Sequence, residues 1–147
     1  MLVRDIMTIY PIYIRSDSDI RRAAEIISIS EVSDLMVIDH ENRFLGVLSE
    51  GDLIRFVLPS FDEVIQAGGT LNDAFRFFVQ KGQDLANRPI EPLIIRSAIS
   101  LKPTDEVAQA AAVMVEKQIR RLPVVEEGKL LGTLSRSDIC RAVIYYG

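Results

Sequence analysis

An internal duplication constrains the fold of this 147-residue chain more than any other feature of its sequence. The offset is 86 residues for one pair of similar blocks (46 to 132) and 87 for the two pairs upstream (35 to 122, 23 to 110). The paired blocks are Gly46–Leu53 with Gly132–Ile139, Leu35–Asp39 with Leu122–Glu126, and Ala23–Ile27 with Ala110–Met114. The difference of one residue falls in a turn, where exposed loops accept length changes. The chain therefore contains two copies of one unit.

Each copy predicts the element order β-α-β-β-α, because helical spacing, apolar strands and a hairpin turn follow one another in both. The predicted segments are strands Ile12–Ile14 and Ile99–Leu101, helices capped by Asp17 and Thr104, strands Leu35–Ile38 and Leu122–Val125, strands Phe44–Leu48 and Leu130–Leu134, and helices starting at Ser49 and Ser135. A unit of about sixty residues buries only about 60% of its surface. The expected fold is therefore α/β, with two pseudo-symmetric units packed sheet to sheet.

The repeat divides the chain into a first copy at 1–56, an insertion at 57–92 and a second copy at 93–147. The insertion predicts two short helices. One is capped by Ser60, runs through Ile65 and Ala67 and ends at Gly68-Gly69; the other is capped by Thr70, carries Leu71, Phe75 and Phe78 and ends at Gly82. Its apolar stripe either covers the edge of the core or forms a partner or dimer surface, and the sequence leaves both possibilities open.

Composition and charge exclude several classes of function. The net charge of −4 gives no electrostatic reason to expect nucleic acid or an anionic membrane as a partner. No apolar run reaches the roughly eighteen residues needed to span a bilayer, and the charged start at Arg4-Asp5 is unlike a secretory signal. The single cysteine, Cys140, is expected to be packed, and the single histidine, His40, has no partner at metal-ligand spacing. We expect a cytoplasmic protein without a metal site.

The two Gly-h-h-Ser-x-x-Asp-h blocks (h, mostly apolar), together with the strand Arg121–Val125, resemble tandem CBS (cystathionine-β-synthase) domains. The opening Val3–Thr8 also resembles the usual start of such a pair. The resemblance implies a Bateman module, whose clefts bind adenosine-containing ligands such as AMP, ADP, ATP or S-adenosylmethionine. It further implies a regulatory role on an effector protein and assembly into a homodimer.

The two copies depart from the family pattern in different places. Met36 stands in the first copy where the second has Pro123, and the paired arginines occur only in the second copy. The second copy instead lacks the usual opening and has Ile94–Ser97 at that point. The second cleft is therefore expected to be the better nucleotide site, and the first to be empty, altered or structural.

The Ser-x-x-Asp motifs at Ser49 and Ser135 allow two interpretations. Serine is a good N-cap, and an acidic residue three positions later resembles a capping box. The same carboxylate, Asp52 or Asp138, could instead accept hydrogen bonds from ribose hydroxyls, as acidic residues do in dinucleotide sites. Of the two, Asp138 is the residue that the sequence favours most strongly for ribose recognition.

Arg120 and Arg121 precede a buried strand, where an arginine fork suits phosphate oxygens. Strand alternation predicts that only one of them meets a ligand, and Arg121 is favoured because it shares a face with Pro123. Arg136 adds positive charge, whereas Glu50 at the matching place disfavours phosphate in the first cleft. The expected ligand-binding residues are Ile99, Arg120, Arg121, Leu122, Pro123, Ser135, Arg136, Asp138, Ile12, Met36, Ser49 and Asp52.

The sequence predicts a regulatory binding module and no enzyme, with an adenosine nucleotide as regulatory ligand and no required cofactor. Cys140 has no evident base near it in sequence, and no glycine-rich phosphate loop is present. The alternative is a ligand-free module that uses the same fold as a dimerisation scaffold. The expected dimer faces carry parts of the helices after Ser49 and Ser135, including Ile54, Val57, Ile139 and Val143.

Overall fold

The computed structural model describes residues 1–58, 60–66 and 68–146 as a mixed α/β fold, which confirms the predicted fold class. The first half of the chain contains α1 (Val3–Ile6), β1 (Tyr13–Arg15), α2 (Ile20–Ser30), β2 (Asp34–Ile38), β3 (Phe44–Ser49) and α3 (Glu50–Val57). Two helices follow, α4 (Phe61–Gln66) and α5 (Leu71–Leu85), and then a 3-10 turn at Glu91–Leu93. The second half contains α6 (Val107–Lys117), β4 (Arg121–Glu126), β5 (Lys129–Ser135) and α7 (Arg136–Tyr146).

The two copies build unequal sheets. In the first, β1 runs parallel to β2, and β2 pairs antiparallel with β3. In the second, β4 and β5 form an antiparallel pair, and the expected strand Ile99–Leu101 contributes a single bridge, between Leu101 and Val124. The Met36 N–H donates to the Ile12 carbonyl, whereas Pro123 at the equivalent position has no N–H to donate. The prediction of a full first strand in the second copy was therefore wrong.

Two predicted helix caps were also wrong. The N-cap of α2 is Asp19 and not Asp17, since the Asp19 carboxylate accepts from the Arg22 N–H at 2.9 Å while Asp17 lies in the preceding turn. The N-cap of α6 is Glu106 and not Thr104, and its side chain forms no capping bond. The backbone of Glu106 bridges to Leu2, so the path of the chain into α6 is fixed by a neighbouring segment.

The inserted helices follow the predicted starts but not every predicted end. Ser60 and Thr70 accept bonds from Glu63 and Asp73, as N-caps do, while Ala67 lies outside the described residues. Helix α5 continues through Gly82 to Leu85, because a single glycine costs a helix only about 1 kcal/mol. Leu71 and Phe75 are 91% and 70% exposed. The interpretation that these two side chains cover the core was therefore wrong.

The two copies exchange short segments. Thr8 bridges to Thr133 on β5, and Ile95 bridges to Val47 on β3. These contacts are equivalent under the repeat, as are the bridges Leu2–Glu106 and Pro89–Asp19. Segment 2–8 thus joins the second copy and segment 89–95 the first, so the last residues of the 57–92 region correspond to the chain start. The three-part division of the chain stays a prediction.

Because of this exchange, each hydrophobic core includes residues of a segment that is distant in sequence. One core holds Ile90 and Ile94 among first-copy residues, and the other holds Val3 and Ile6 among second-copy residues. The glycines that open the two motifs explain how the segments fit. A Cβ added at Gly46 would clash with the Ile95 carbonyl oxygen, and one at Gly132 would clash with that of Thr8. Glycine is therefore required at the two crossing points.

Candidate ligand-binding clefts between the two copies

Two clefts open between the copies. Cleft A has a volume of about 450 Å³ and cleft B about 430 Å³, both within the range of small-molecule sites. Cleft A is lined by Ser33, Asp34, Val47, Ser49, Glu50, Gly51, Ile95, Ala98, Ile99, Gln118, Ile119, Arg120, Arg121, Leu122 and Pro123. Cleft B is lined by Glu31, Val32, Ser33, Glu50, Arg120, Arg121, Ser135, Arg136 and Ser137. Each cleft joins a helix start from one copy to a strand start from the other.

Neither cleft is built from one copy alone. In cleft A the strand start Arg121–Pro123 belongs to the second copy, while the helix start Ser49–Gly51 belongs to the first. Glu50 was expected to weaken a cleft without arginines, yet it lines both clefts together with Arg120 and Arg121. Positive and negative charge therefore share one wall.

Both arginines line both clefts, although strand alternation predicts opposite faces for them; that only one of them meets a ligand stays a prediction. Arg120 lies before β4 begins and is not bound by the alternation of that strand. The Arg121 Nη1 donates to the Thr133 Oγ1 at 3.1 Å, which orients a half-buried guanidinium. Arg136 lines cleft B alone, and its Nε donates to the Ile119 carbonyl at 3.0 Å.

Asp34 is a cleft residue that the sequence reasoning missed. Burial raises the pKa of its carboxyl above the usual value, although the Ser33 hydroxyl and the nearby Arg120 and Arg121 act in the opposite direction. Asp34 is the repeat equivalent of Arg121 (34 to 121), and Ser33 that of Arg120. Superposing the two copies residue by residue would have placed both in the cleft wall.

Asp138 occupies a buried site at the start of α7, with a side chain only 5% exposed. Its carboxylate accepts from the Ser135 N–H at 2.9 Å, from the Thr8 hydroxyl at 3.3 Å and from Arg141 Nη2 at 3.1 Å. The Asp138 N–H donates back to the Ser135 hydroxyl at 3.1 Å. This is a complete capping box with two further donors.

Asp52, the equivalent residue in the first copy, is more accessible, with a side chain 29% exposed. Its N–H donates to the Ser49 hydroxyl at 3.1 Å, and its carboxylate pairs with Arg55. The hydrogen bond from Arg55 is the main reason why the pKa of Asp52 lies below its usual value. Asp52 and Arg55 line a separate cavity of about 480 Å³ that shares Ile95 with cleft A.

The remaining predicted site residues fall into two groups. Ile99, Leu122 and Pro123 line cleft A, where Ile99 is 40% exposed. Ile12 and Met36, their first-copy counterparts, are not among the residues lining clefts A and B in the described part of the chain, and Met36 is fully buried. Cys140 was expected to be packed but is exposed, because the buried face of α7 carries Asp138 and Ala142 and Cys140 lies between them in sequence.

The family model of the CBS domain matches residues 3–59 and 84–145. The chain belongs to the CBS domain family. The two matched segments confirm the tandem arrangement that the duplicated motifs indicated.

Related proteins agree with this assignment. Protein MJ1426 of Methanocaldococcus jannaschii is 28% identical over 98% of this chain and 92% of its own length. The chain spans only 41% of protein MJ1225 from the same organism, with 28% identity over 95% of this chain. No helix in the described residues is both long and apolar enough to cross a membrane.

Solved CBS-pair structures resemble this one along its whole length. The structure of CBSX2 in complex with AMP matches with a TM-score of 0.75 and 25% identity over 99% of this chain and 97% of that one. CBSX2 is a protein of Arabidopsis thaliana. The CBS pair of protein MJ0100 in complex with 5′-methylthioadenosine and S-adenosyl-L-methionine matches with a TM-score of 0.69 and 21% identity, over 100% of this chain and 98% of that one. Because the identity is only 21%, the likeness to the MJ0100 pair concerns the fold alone.

Proposed function

We propose that this protein is a regulatory module that binds an adenosine-containing ligand in cleft A and acts on a separate effector protein. The observation that carries the proposal is the lining of cleft A, where Arg120 and Arg121 lie on the same cavity wall as exposed apolar side chains. Apolar walls with a few polar groups that converge are typical of small-molecule sites. The structural neighbour CBSX2, which was solved in complex with AMP, supports the ligand class.

Each part of an adenosine nucleotide has a counterpart in this region. Ile95 and Ile99 are 39% and 40% exposed and offer apolar surface to the base. The guanidinium groups of Arg120 and Arg121 suit phosphate oxygens, because they present paired N–H donors. Asp52, in the cavity that adjoins cleft A at Ile95, offers a partly exposed carboxylate to the ribose hydroxyls.

A thermal-shift panel tests the ligand class. It compares adenosine, AMP, ADP, ATP and S-adenosylmethionine, with GMP as the control for the base. A ligand present at 100 times its Kd should stabilise the folded protein by about 2.7 kcal/mol. We expect at least one adenosine compound to stabilise the protein and GMP to have little effect. If no adenosine compound raised the melting temperature, the proposed ligand class would be wrong.

The phosphate assignment is tested by comparing AMP with adenosine on the parent protein and on Arg121→Ala. A charge-assisted hydrogen bond contributes roughly 1.5–3 kcal/mol, so the variant should lose about ten- to a hundredfold in AMP affinity and little in adenosine affinity. Arg22→Ala, which removes an exposed arginine on α2, is the matched control. Equal affinity of the parent for AMP and adenosine would rule out phosphate recognition.

We also propose a homodimer through the helices that follow the two motifs, α3 and α7. Ile54 is 45% and Val143 66% exposed, so both offer apolar area, whereas Val57 and Ile139 pack in part against their own cores. Closed two-fold assembly is the commonest way to cover such surface. Light scattering should give twice the chain mass at micromolar concentration, and Val143→Asp should shift it to the single-chain mass. A monomeric parent would contradict the dimer.

A ligand-free scaffold is the second candidate, and the exposed apolar surface of the inserted helices favours it. Phe61 on α4 is 79% exposed, and Leu71 and Phe75 on α5 are exposed by 91% and 70%. Large exposed apolar patches are typical of protein interaction sites. A dimer in light scattering, combined with no response to any adenosine compound, would favour the scaffold over the sensor.

A further inference from the structure

Clefts A and B are not separate sites, because they share part of their walls. Ser33, Glu50, Arg120 and Arg121 line both clefts. These shared residues, with Asp34 beside them, are here called the seam. The Glu50 N–H donates to the Ser33 carbonyl at 2.8 Å, and the equivalent Arg136 N–H donates to the Arg120 carbonyl at 3.1 Å. In both copies, a backbone hydrogen bond thus joins the first residue of a helix (α3 or α7) to the residue just before a strand (β2 or β4).

The charges of the seam do not follow the repeat. Asp34 and Arg121 are equivalent positions, as are Glu50 and Arg136, so the duplication has opposite charges at both pairs. Within the described ranges 1–58, 60–66 and 68–146, no carboxylate forms an ion pair within 4 Å of Arg120 or Arg121. Their positive charge is therefore available to a ligand, and the carboxylates of Asp34 and Glu50 remain near it.

We infer that the two clefts bind phosphate-bearing ligands with negative coupling, so that one nucleotide per chain binds tightly and the second weakly. This inference rests on the proposed function. A phosphate group bound in one cleft neutralises the arginines that the other cleft also needs. A second phosphate would then meet the first phosphate and the carboxylates of the seam, and like charges placed close together in a site repel strongly. An uncharged nucleoside makes no such demand on the arginines.

The test is a binding isotherm for AMP and one for adenosine on the unmodified protein, by calorimetry and equilibrium dialysis at low salt. The expected result for AMP is a second binding event at least about tenfold weaker than the first, beyond the statistical factor for two equal sites. Adenosine should fill both clefts without that difference. Raising the salt to about 1 M should narrow the AMP difference, because screening weakens repulsion between charges that water reaches.

A charge-reversal variant strengthens the test. Glu50→Arg places at Glu50 the residue type that its repeat equivalent, Arg136, has, and it adds a cation to the seam. The two AMP events should move closer together in this variant. Asp62→Arg on α4 makes the same change of net charge at an exposed position outside both clefts, and it should leave the difference as it is.

The outcomes distinguish this inference from the proposed function. If no adenosine compound binds, the proposed function fails and the inference with it. If two AMP molecules bind with equal affinity, the function stands and the coupling is wrong. If adenosine also binds once per chain, the second cleft is closed for a reason other than the shared arginines, and the inference is again wrong.

Discussion

The two Ser-x-x-Asp motifs are alike in sequence and differ in what their carboxylates contact. In the second copy, Asp138 is buried and accepts from the Ser135 N–H, the Thr8 hydroxyl and Arg141. In the first copy, Asp52 is partly exposed and pairs with Arg55 on the next turn of α3. Both serines cap a helix, but the carboxylate of Asp138 is buried, whereas that of Asp52 is partly exposed.

The cause of the difference lies outside the motif. The exchanged segments place Thr8 beside Asp138, and they place its equivalent Ile95 against the first copy. Threonine has a hydroxyl that donates to a carboxylate, whereas isoleucine has none. Thr8, 130 positions away in sequence, thus gives Asp138 a hydrogen bond that Asp52 cannot receive from Ile95.

The largest expected effect comes from removing the anchor of one exchanged segment. Ile90 is fully buried in the first core, and Ile90→Ala should lower the free energy of unfolding by roughly 2–5 kcal/mol. Ile95→Ala truncates an isoleucine of the same segment that is 39% exposed, and it should cost far less. Urea denaturation of both variants measures the difference. Equal losses would mean that segment 89–95 is not anchored through its buried face.

The next effect separates the two carboxylates directly. Asp138→Asn should lower the free energy of unfolding by roughly 1.5–3 kcal/mol, because buried donors lose a charged acceptor. Asp52→Asn should cost less than about 1 kcal/mol, since an exposed ion pair contributes little. Chemical denaturation measures both losses.

Binding by the same pair of variants tests the ribose assignment. In calorimetry with AMP, Asp52→Asn should lose affinity and Asp138→Asn should retain it once folded. The deoxy control is 2′-deoxy-AMP, which should bind the parent poorly and lose little more in Asp52→Asn. The opposite result, with affinity lost in Asp138→Asn alone, would return the ribose to the residue that the sequence favoured.

Sequence reasoning recovered much of what each copy determines locally, apart from the caps of α2 and α6, and it missed what the copies determine together. The duplication, the hairpins and the helix starts at Ser49 and Ser135 follow from spacing and capping within one copy. The burial of Asp138 and the composite clefts depend on contacts between copies, whereas the place of Asp34 in the wall could have been found by aligning it with Arg121. Strand alternation also misled, since Arg120 lies outside β4 and the pattern does not apply to it.

A smaller effect tests whether Thr8 alone accounts for the contrast. Thr8→Val removes the hydroxyl that donates to Asp138 and keeps the shape of the side chain. The loss should be about 0.5–1.5 kcal/mol, the usual net contribution of one hydrogen bond. In Asp138→Asn the same Thr8→Val change should cost less, because the charged acceptor is already gone. Additive losses in this double-mutant cycle would show that Thr8 stabilises the fold without acting through Asp138.

The smallest expected effect is a pH dependence of stability at the seam. It arises from Asp34, the repeat equivalent of the permanently charged Arg121. Burial raises the folded-state pKa of the Asp34 carboxyl above its unfolded value of 3.8. The native state therefore holds this proton to higher pH than the unfolded state, so the contribution of Asp34 to stability falls as pH rises from about 4 through the raised pKa. Asp34→Asn removes this loss. Its stability relative to the parent should rise over that range and then level off.

The comparison of parent and Asp34→Asn isolates this carboxyl from the others. Asp39, Asp52 and Glu63 have pKa values below their usual range, because hydrogen bonds from Arg43, Arg55 and Ser60 favour the charged forms. Protonation of these three carboxylates lowers the free energy of unfolding as pH falls. The change is the same in both proteins, so it cancels in the difference. Urea denaturation in steps between pH 4 and pH 7 measures it. A difference that stayed constant across this range would show that Asp34 is as well solvated in the folded protein as in the unfolded chain.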